Sequence, residues 1–132
     1  MGVTMPMTTA AVQRSSRDDA VTWILRHAAN LPTNSSDPWQ VKRPSREAKR
    51  TALVVIKYHA PSYIQVSGLA VTLDEGIEFQ WQNGRKMLAI EVMADGSLEI
   101  LESVEGQPVH EDKLPEPDYR VNRYFGWLDS IP

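Results

Sequence analysis

The sequence predicts an α+β domain in which helices pack on one face of a three- or four-stranded antiparallel meander, in the order α-α-β-β-β-α. Three observations carry this. The stretch from Gly76 to Leu101, GIEFQWQNGRKMLAIEVMADGSLEIL, alternates apolar and polar residues around two glycine turns, as half-buried strands do. Ahead of it, SSRDDAVTWILRHAANL and PSREAKRTALVVIKYHAP each begin with a serine cap and repeat apolar residues at helical spacing. Near the end, Val121, Tyr124, Phe125 and Leu128 form a third helical stripe behind Asp118, a good cap.

The first helix starts at Ser16, with Asp18 and Asp19 in the turn where the helix dipole favours acids. Ala20, Val21, Ile24, Leu25, Ala28 and Leu31 fall on one stripe, with Trp23 and His27 on its shoulder. PTNSSDPW, crowded with turn formers, reads as a surface loop. In the second segment the β-branched VVI suits a strand, but Ser45 as cap, the helix-favouring REAKR and the stop at Pro61 decide for helix. Arg46, Arg50 and Lys57 share one narrow face, while Ala48, Ala52, Leu53, Val55, Ile56 and Tyr58 cover the rest, so this is expected to be the buried central helix.

Asn83-Gly84 is a strong signal for a two-residue type I′ turn, which places Gln82 opposite Arg85, Phe79 opposite Leu88 and Ile77 opposite Ile90. A two-residue turn at Asp95-Gly96 would throw Leu98 and Ile100 onto the wrong face. A three-residue loop, Ala94-Asp95-Gly96, closed by a left-handed glycine bulge, pairs Val92 with Leu98 and Ile90 with Ile100 instead. The outer face then carries Glu78, Gln80, Ala89, Glu91, Met93 and Glu99, with Glu91 opposite Glu99 and Glu78 diagonal to Glu91. LAVTL, residues 69–73, offers a further short strand, and Pro108, Pro115 and Pro117 suggest an extended connection to the last helix.

At 132 residues the chain reads as one domain over 16–132 behind a disordered tail at 1–15. Its 42% hydrophobic and 23% charged residues are ordinary for a globular protein. No cysteine is present, which removes disulfides, thiolate nucleophiles and cysteine metal sites. The apolar runs are too short to cross a bilayer and the first residues lack a secretory pattern, so a soluble cytoplasmic protein without a membrane partner is expected. Residues 1–66 hold nine Lys/Arg against four Asp/Glu, and residues 67–132 hold five against thirteen. Either the halves attract each other or each faces a different partner.

The order of an amphipathic helix, a proline break, VTLDEGIEFQW, a turn, LAIEV and DG resembles a family of small uncharacterised bacterial α+β proteins whose pattern is close to DGGIxLEW…LEIEVxxDG. Thr72, Asp74, Gly76, Ile77, Trp81, Leu88, Ile90, Glu91, Val92, Asp95 and Gly96 carry the resemblance over about half the chain. Glu75 stands where a second glycine is usual, and Gln80 and Ala89 where acids are usual. The resemblance implies the element order and a bacterial source, and no activity.

Catalytic patterns are lacking: there is no G-x-S-x-G elbow, no phosphate loop and no paired-histidine motif among His27, His59 and His110. Three features stand out. Lys42, Arg43, Arg46, Lys49 and Arg50 lie within nine residues, beside Trp39, and suit an acidic protein partner or phosphates. Glu78, Glu91 and Glu99 form a carboxylate row that, as a metal site, would take Mg²⁺ or Mn²⁺ and support a phosphodiesterase-type hydrolase; as an ordinary polar outer face it needs no ion. Trp23, Trp39, Trp127 and Tyr119 lie off the main stripes, where aromatics serve as interface anchors. Together these favour a non-enzymatic interaction module without a cofactor, of the antitoxin, immunity or other operon-partner kind, that uses Trp39, Lys42, Arg43, Arg46, Lys49, Arg50 and Trp127 toward another protein. A metal-dependent hydrolase and a nucleic-acid adaptor through residues 42–50 are the alternatives. The acidic second half predicts that nucleic acid binds weakly.

Overall fold

The computed structural model describes residues 17–30 and 43–130, with side chains assigned in the first helix only for Asp18–Leu25. The expected tail at 1–15, the cap at Ser16, the loop PTNSSDPW, the side chain of His27, Trp39 and Lys42 lie outside the described residues. The elements are α1 (Arg17–Asn30), α2 (Arg46–Val54) continued by a π-helical turn (Val55–His59), β1 (Val66–Val71), β2 (Ile77–Asn83), β3 (Lys86–Val92), β4 (Leu98–Val104), β5 (Gln107–Leu114) and α3 (Tyr119–Asp129). The α+β class is as expected. The sheet, however, has five antiparallel strands in the order β1-β2-β3-β4-β5 rather than three or four.

The extra strand is β5, where an extended connection was expected. Glu105 (φ 52°) and Gly106 (φ 81°) form a two-residue turn with positive φ at both positions, the I′ pattern, and bring Gln107 opposite Val104. β5 is an edge strand in which only Leu114 is buried, so no alternation betrays it. Pro108 is tolerated there because an edge strand has one unpaired side, and the register shifts beside it.

The β3–β4 connection is the expected bulged loop. Val92 pairs with Leu98 and Ile90 with Ile100; Gly96 has φ 88°, its N–H bonds to the Met93 carbonyl (2.9 Å), and Met93 N–H bonds to Ser97 O (2.8 Å). The β2–β3 turn departs from expectation by one residue. Asn83 pairs with Lys86, so the loop is Gly84-Arg85 with positive φ at Gly84 alone, the II′ pattern. Phe79 therefore faces Ile90, Trp81 faces Leu88, Ile77 faces Val92 and Glu78 lies directly opposite Glu91. The slip of two leaves every side chain on its expected face. Asn83 is spent elsewhere: its side-chain amide donates to the Leu128 carbonyl of α3 (2.9 Å).

The inner face of the sheet carries Val66, Leu69, Val71, Ile77, Phe79, Trp81, Leu88, Ile90, Val92, Leu98 and Ile100, all in one core with the helices. Phe79 stacks on Trp81, and Phe125 of α3 meets Trp81 edge-on at 4.8 Å between ring centres. Trp23, expected on a shoulder, is buried, whereas Leu25 is 47% exposed, because α1 packs on α2 and β1 through Ala20, Trp23 and Ile24. Ser67 and Gly68 lie in β1 at a bulge, with the Ser67 hydroxyl donating to Gln80 O (3.0 Å).

The second helix starts as expected: Ser45 Oγ accepts from Ala48 N–H (3.0 Å) and Ala60 ends it. Its buried residues are Ala48, Ala52, Val55 and Ile56, so one face is covered, not the whole girth. Tyr58 stands 76% exposed. The π turn, closed by Ala60 N–H to Val55 O (2.9 Å), carries the β-branched stretch before Pro61 and turns Lys57 and Tyr58 outward. No described helix is long and apolar enough to cross a membrane.

Glycine is required most at two loops. A Cβ on Gly76 would lie 2.3 Å from the Val92 carbonyl, and one on Gly96 would lie 3.1 Å from Thr51 Oγ1 of α2 in a left-handed conformation. Urea unfolding is expected to show Gly96→Val costing about 1–2 kcal/mol. Gly76→Ala should cost about 3 kcal/mol, because backbone must move to admit the methyl group.

Candidate functional site

Two surfaces collect the sequence-predicted residues. The first is the solvent face of α2. Ser45 sets its orientation: its N–H donates to Glu75 O (2.9 Å), its hydroxyl donates to Ala94 O (2.6 Å), and the same oxygen caps Ala48 N–H. The helix start is thereby fixed to the β1–β2 and β3–β4 loops. With the alanine face turned to the sheet, Arg46 and Arg50 are exposed and Lys49 is half-buried. They line a groove of about 510 Å³ with Arg43, Pro44, Ser45 and Leu53.

The described ion pairs are Arg85–Glu105, Lys113–Glu99 and Arg120–Asp118. All three lie within the acidic half of the chain, so among the described residues the two halves are not joined by ion pairs. Arg46, Lys49 and Arg50 form none with another described residue.

Trp127 does not belong to this groove. It sits half-buried near the end of α3, with Lys86 Nζ 5.2 Å from its ring centre. Lys86 also donates to Trp127 O (2.8 Å), Ser130 O (3.0 Å) and Ser130 Oγ (2.6 Å), so β3 caps the C-terminus of α3 with a cation. The aromatic is thus a docking element of α3, which a stripe analysis had placed on the surface.

The second surface is the outer face of the sheet. Register aligns Ala70, Glu78, Glu91, Glu99 and Lys113 across all five strands. The adjacent row runs through Gly68, Gln80, Ala89, Leu101 and Glu111. A groove of about 650 Å³ is lined by Glu78, Ala89, Glu91, Glu99, Leu101 and Lys113 among others. Sequence reading missed Glu111 and Lys113, because their places follow only once β5 is paired, and it passed over Leu101, whose place opposite Ala89 already follows from the β3–β4 register.

Lys113 approaches Glu99 at 3.7 Å, and Gln80 donates to Glu78 (3.3 Å). Glu91, between Glu78 and Glu99, has its carboxyl held above the usual range, first by burial and then by the charges of Glu78, Glu99 and Asp74. Among the described residues no group of three or more carboxylate or imidazole side chains is arranged to hold a metal ion. The row is open and repulsive rather than convergent.

A third polar cluster was not foreseen. Tyr124 of α3 donates its hydroxyl to Asp112, stacks on His110 at 5.9 Å between ring centres, and is pushed up to about 12 by burial and by Asp112. Asp112 is held low, chiefly by that hydrogen bond. Glu102, opposite His110, is buried and raised by desolvation, which the charges of His110 and Lys86 oppose. Together with the His59–Asn122 contact (2.7 Å) and Tyr63 donating to Asp129 (2.9 Å), this cluster fastens α3. It is a fastening, and a groove of about 570 Å³ opens beside its Tyr63–Asp129 end.

Glu91 supplies a test with a defined sign. A raised carboxyl favours folding while protonated and loses that advantage as pH rises through its folded value, so Glu91→Gln should stabilise at pH 7 by about 0.5 kcal/mol and change nothing below pH 4. Thermal unfolding at the two pH values checks this. Millimolar Mn²⁺ should leave the melting temperature of wild type unchanged relative to a salt control. The chain matches no family model, no curated protein and no solved structure.

Proposed function

We propose that the protein is a non-enzymatic interaction module that presents the basic face of α2 to an acidic surface of a partner protein. An operon-partner role, of the kind an antitoxin or immunity protein fills, fits such a module. The observation that carries the reading is that Arg46, Lys49 and Arg50 line one groove on a rigidly seated helix while forming no ion pair among the described residues. Cations left uncompensated in that way are available to carboxylates of another chain. Leu53 and Pro44 give the groove an apolar component, as interface centres have. Trp39 and Lys42, which the sequence groups with these cations, lie outside the described residues. Trp127 is left out of it, because it is engaged with Lys86.

The same cations could hold phosphates at the start of α2, which supports a nucleic-acid adaptor as the second reading. Against it stands the acidic excess of the chain, thirteen Asp/Glu in residues 67–132. A hydrolase built on Glu78, Glu91 and Glu99 has less support, since among the described residues no three such side chains are arranged to hold a metal ion.

Binding to poly-L-glutamate and to single-stranded oligonucleotide, each with wild type and with Arg46→Ala/Arg50→Ala, tests the proposal. Wild type should bind the polypeptide about tenfold more tightly than the double variant does. Oligonucleotide should bind weakly and without sequence preference. Tight oligonucleotide binding that falls by about 0.9 log unit per decade of salt for each phosphate contact, and disappears with the arginines, would replace the protein-partner reading by the nucleic-acid one.

A further inference from the structure

Among the described residues, two sets of charges without an ion-pair partner are complementary. Arg46, Lys49 and Arg50 occupy the solvent face of α2, whereas Glu78 and Glu91 occupy the outer face of the sheet, with the core between the two layers. Within one molecule they are kept apart by the fold itself. Between two molecules nothing keeps them apart.

The dimensions agree. Glu78, Glu91 and Glu99 lie on three neighbouring strands, a span of about 10 Å at the usual strand spacing. From Arg46 to Leu53 the helix rises about 10 Å, and residues three and four apart recur every 5–6 Å, close to the distance from one glutamate to the next. An α2 helix laid across the strands would set Arg46 and the Lys49–Arg50 step over successive carboxylates. Ala89 and Leu101 in the adjacent row offer an apolar floor for Leu53.

Like charges directly opposite on paired strands destabilise a sheet. An arriving guanidinium removes that repulsion and gains charge-assisted hydrogen bonds. Glu99 is less available because Lys113 faces it, so Glu78 and Glu91 are the main acceptors.

We infer that the acidic partner of the α2 groove is the open sheet face of a second copy of this chain, so that copies associate head to tail. The inference rests on the proposed use of the α2 groove and adds the identity of its partner. Because two different surfaces meet, the contact does not close on itself as a twofold dimer, and assemblies lengthen with concentration unless the rotation happens to form a ring.

Sedimentation velocity on three samples decides the matter. Wild type at about 20 mM salt should show a weight-average mass that rises with concentration and returns to the monomer at about 500 mM salt. Glu78→Lys/Glu91→Lys keeps the groove and loses the sheet face, and Arg46→Glu/Arg50→Glu does the reverse. Each should be monomeric alone, and an equimolar mixture should associate again through the wild-type groove and sheet face and, because the two reversed surfaces are also complementary, grow with concentration as wild type does. Circular dichroism establishes that both variants are folded, and Glu78→Gln/Glu91→Gln, which should weaken self-association about tenfold, serves if the lysine variant is not. Wild type that stays monomeric at low salt, or folded variants that fail to pair when mixed, overturns self-recognition. If Arg46→Glu/Arg50→Glu still abolishes poly-L-glutamate binding in that event, the basic groove stands as a docking site for a different acidic protein.

Discussion

Ser45 is the joint on which the arrangement of the molecule turns. One residue links three elements: its N–H reaches the β1–β2 loop at Glu75, its hydroxyl reaches the β3–β4 loop at Ala94, and its oxygen caps the first turn of α2. A helix start held at three points has little freedom to rotate. The alanine and β-branched face of α2 is thereby committed to the sheet and the cationic face to solvent. The close approach of Thr51 to Gly96 has the same origin, since the helix could not lie so near the loop if that residue carried a side chain.

The helices are attached by different physics. α2 is held by its cap and by small apolar residues that let it come close. α3 also buries an apolar stripe, Val121, Phe125 and Leu128, but is additionally tied by polar contacts from Asn83, Lys86 and Tyr124. This division explains where charge accumulates. Polar groups near α3 are consumed in holding it, whereas Arg46, Lys49 and Arg50 form no ion pair among the described residues. The described ion pairs follow the same logic, because each joins residues that the hairpins or the helix start already bring together.

What was legible in the sequence is what periodicity and turn chemistry encode. The β3–β4 loop was readable because only a three-residue connection keeps Leu98 and Ile100 on the face of Ile90 and Val92, and Gly96 supplies the conformation it needs. The β2–β3 turn was misplaced because alternation has period two and is blind to a slip of two, and the choice was made by distant partners, Leu128 for Asn83 and Leu88 for Trp81. β5 was illegible because seven of its eight residues are not buried, so no apolar alternation marks it. The candidate site was half legible. Arg46, Lys49 and Arg50 fall on the expected helix and all three glutamates on the expected sheet face, with only the pairing of Glu78 misread, but whether charges were paired depended on layer geometry that no local pattern records. Trp127 was misread because its engagement depends on a lysine 41 positions earlier.

That lysine also governs chemistry at its own nitrogen. All three N–H bonds of Lys86 are directed at acceptors on the last turn of α3, Trp127 O, Ser130 O and Ser130 Oγ. An ammonium so committed is shielded from electrophiles until the helix end lifts away, in contrast to Lys57 and Lys113, whose side chains face solvent. Acylating reagents therefore read the seating of α3 through the reactivity of a strand residue, and an acyl group once attached to Lys86 would deny the helix its cation and hold that end open.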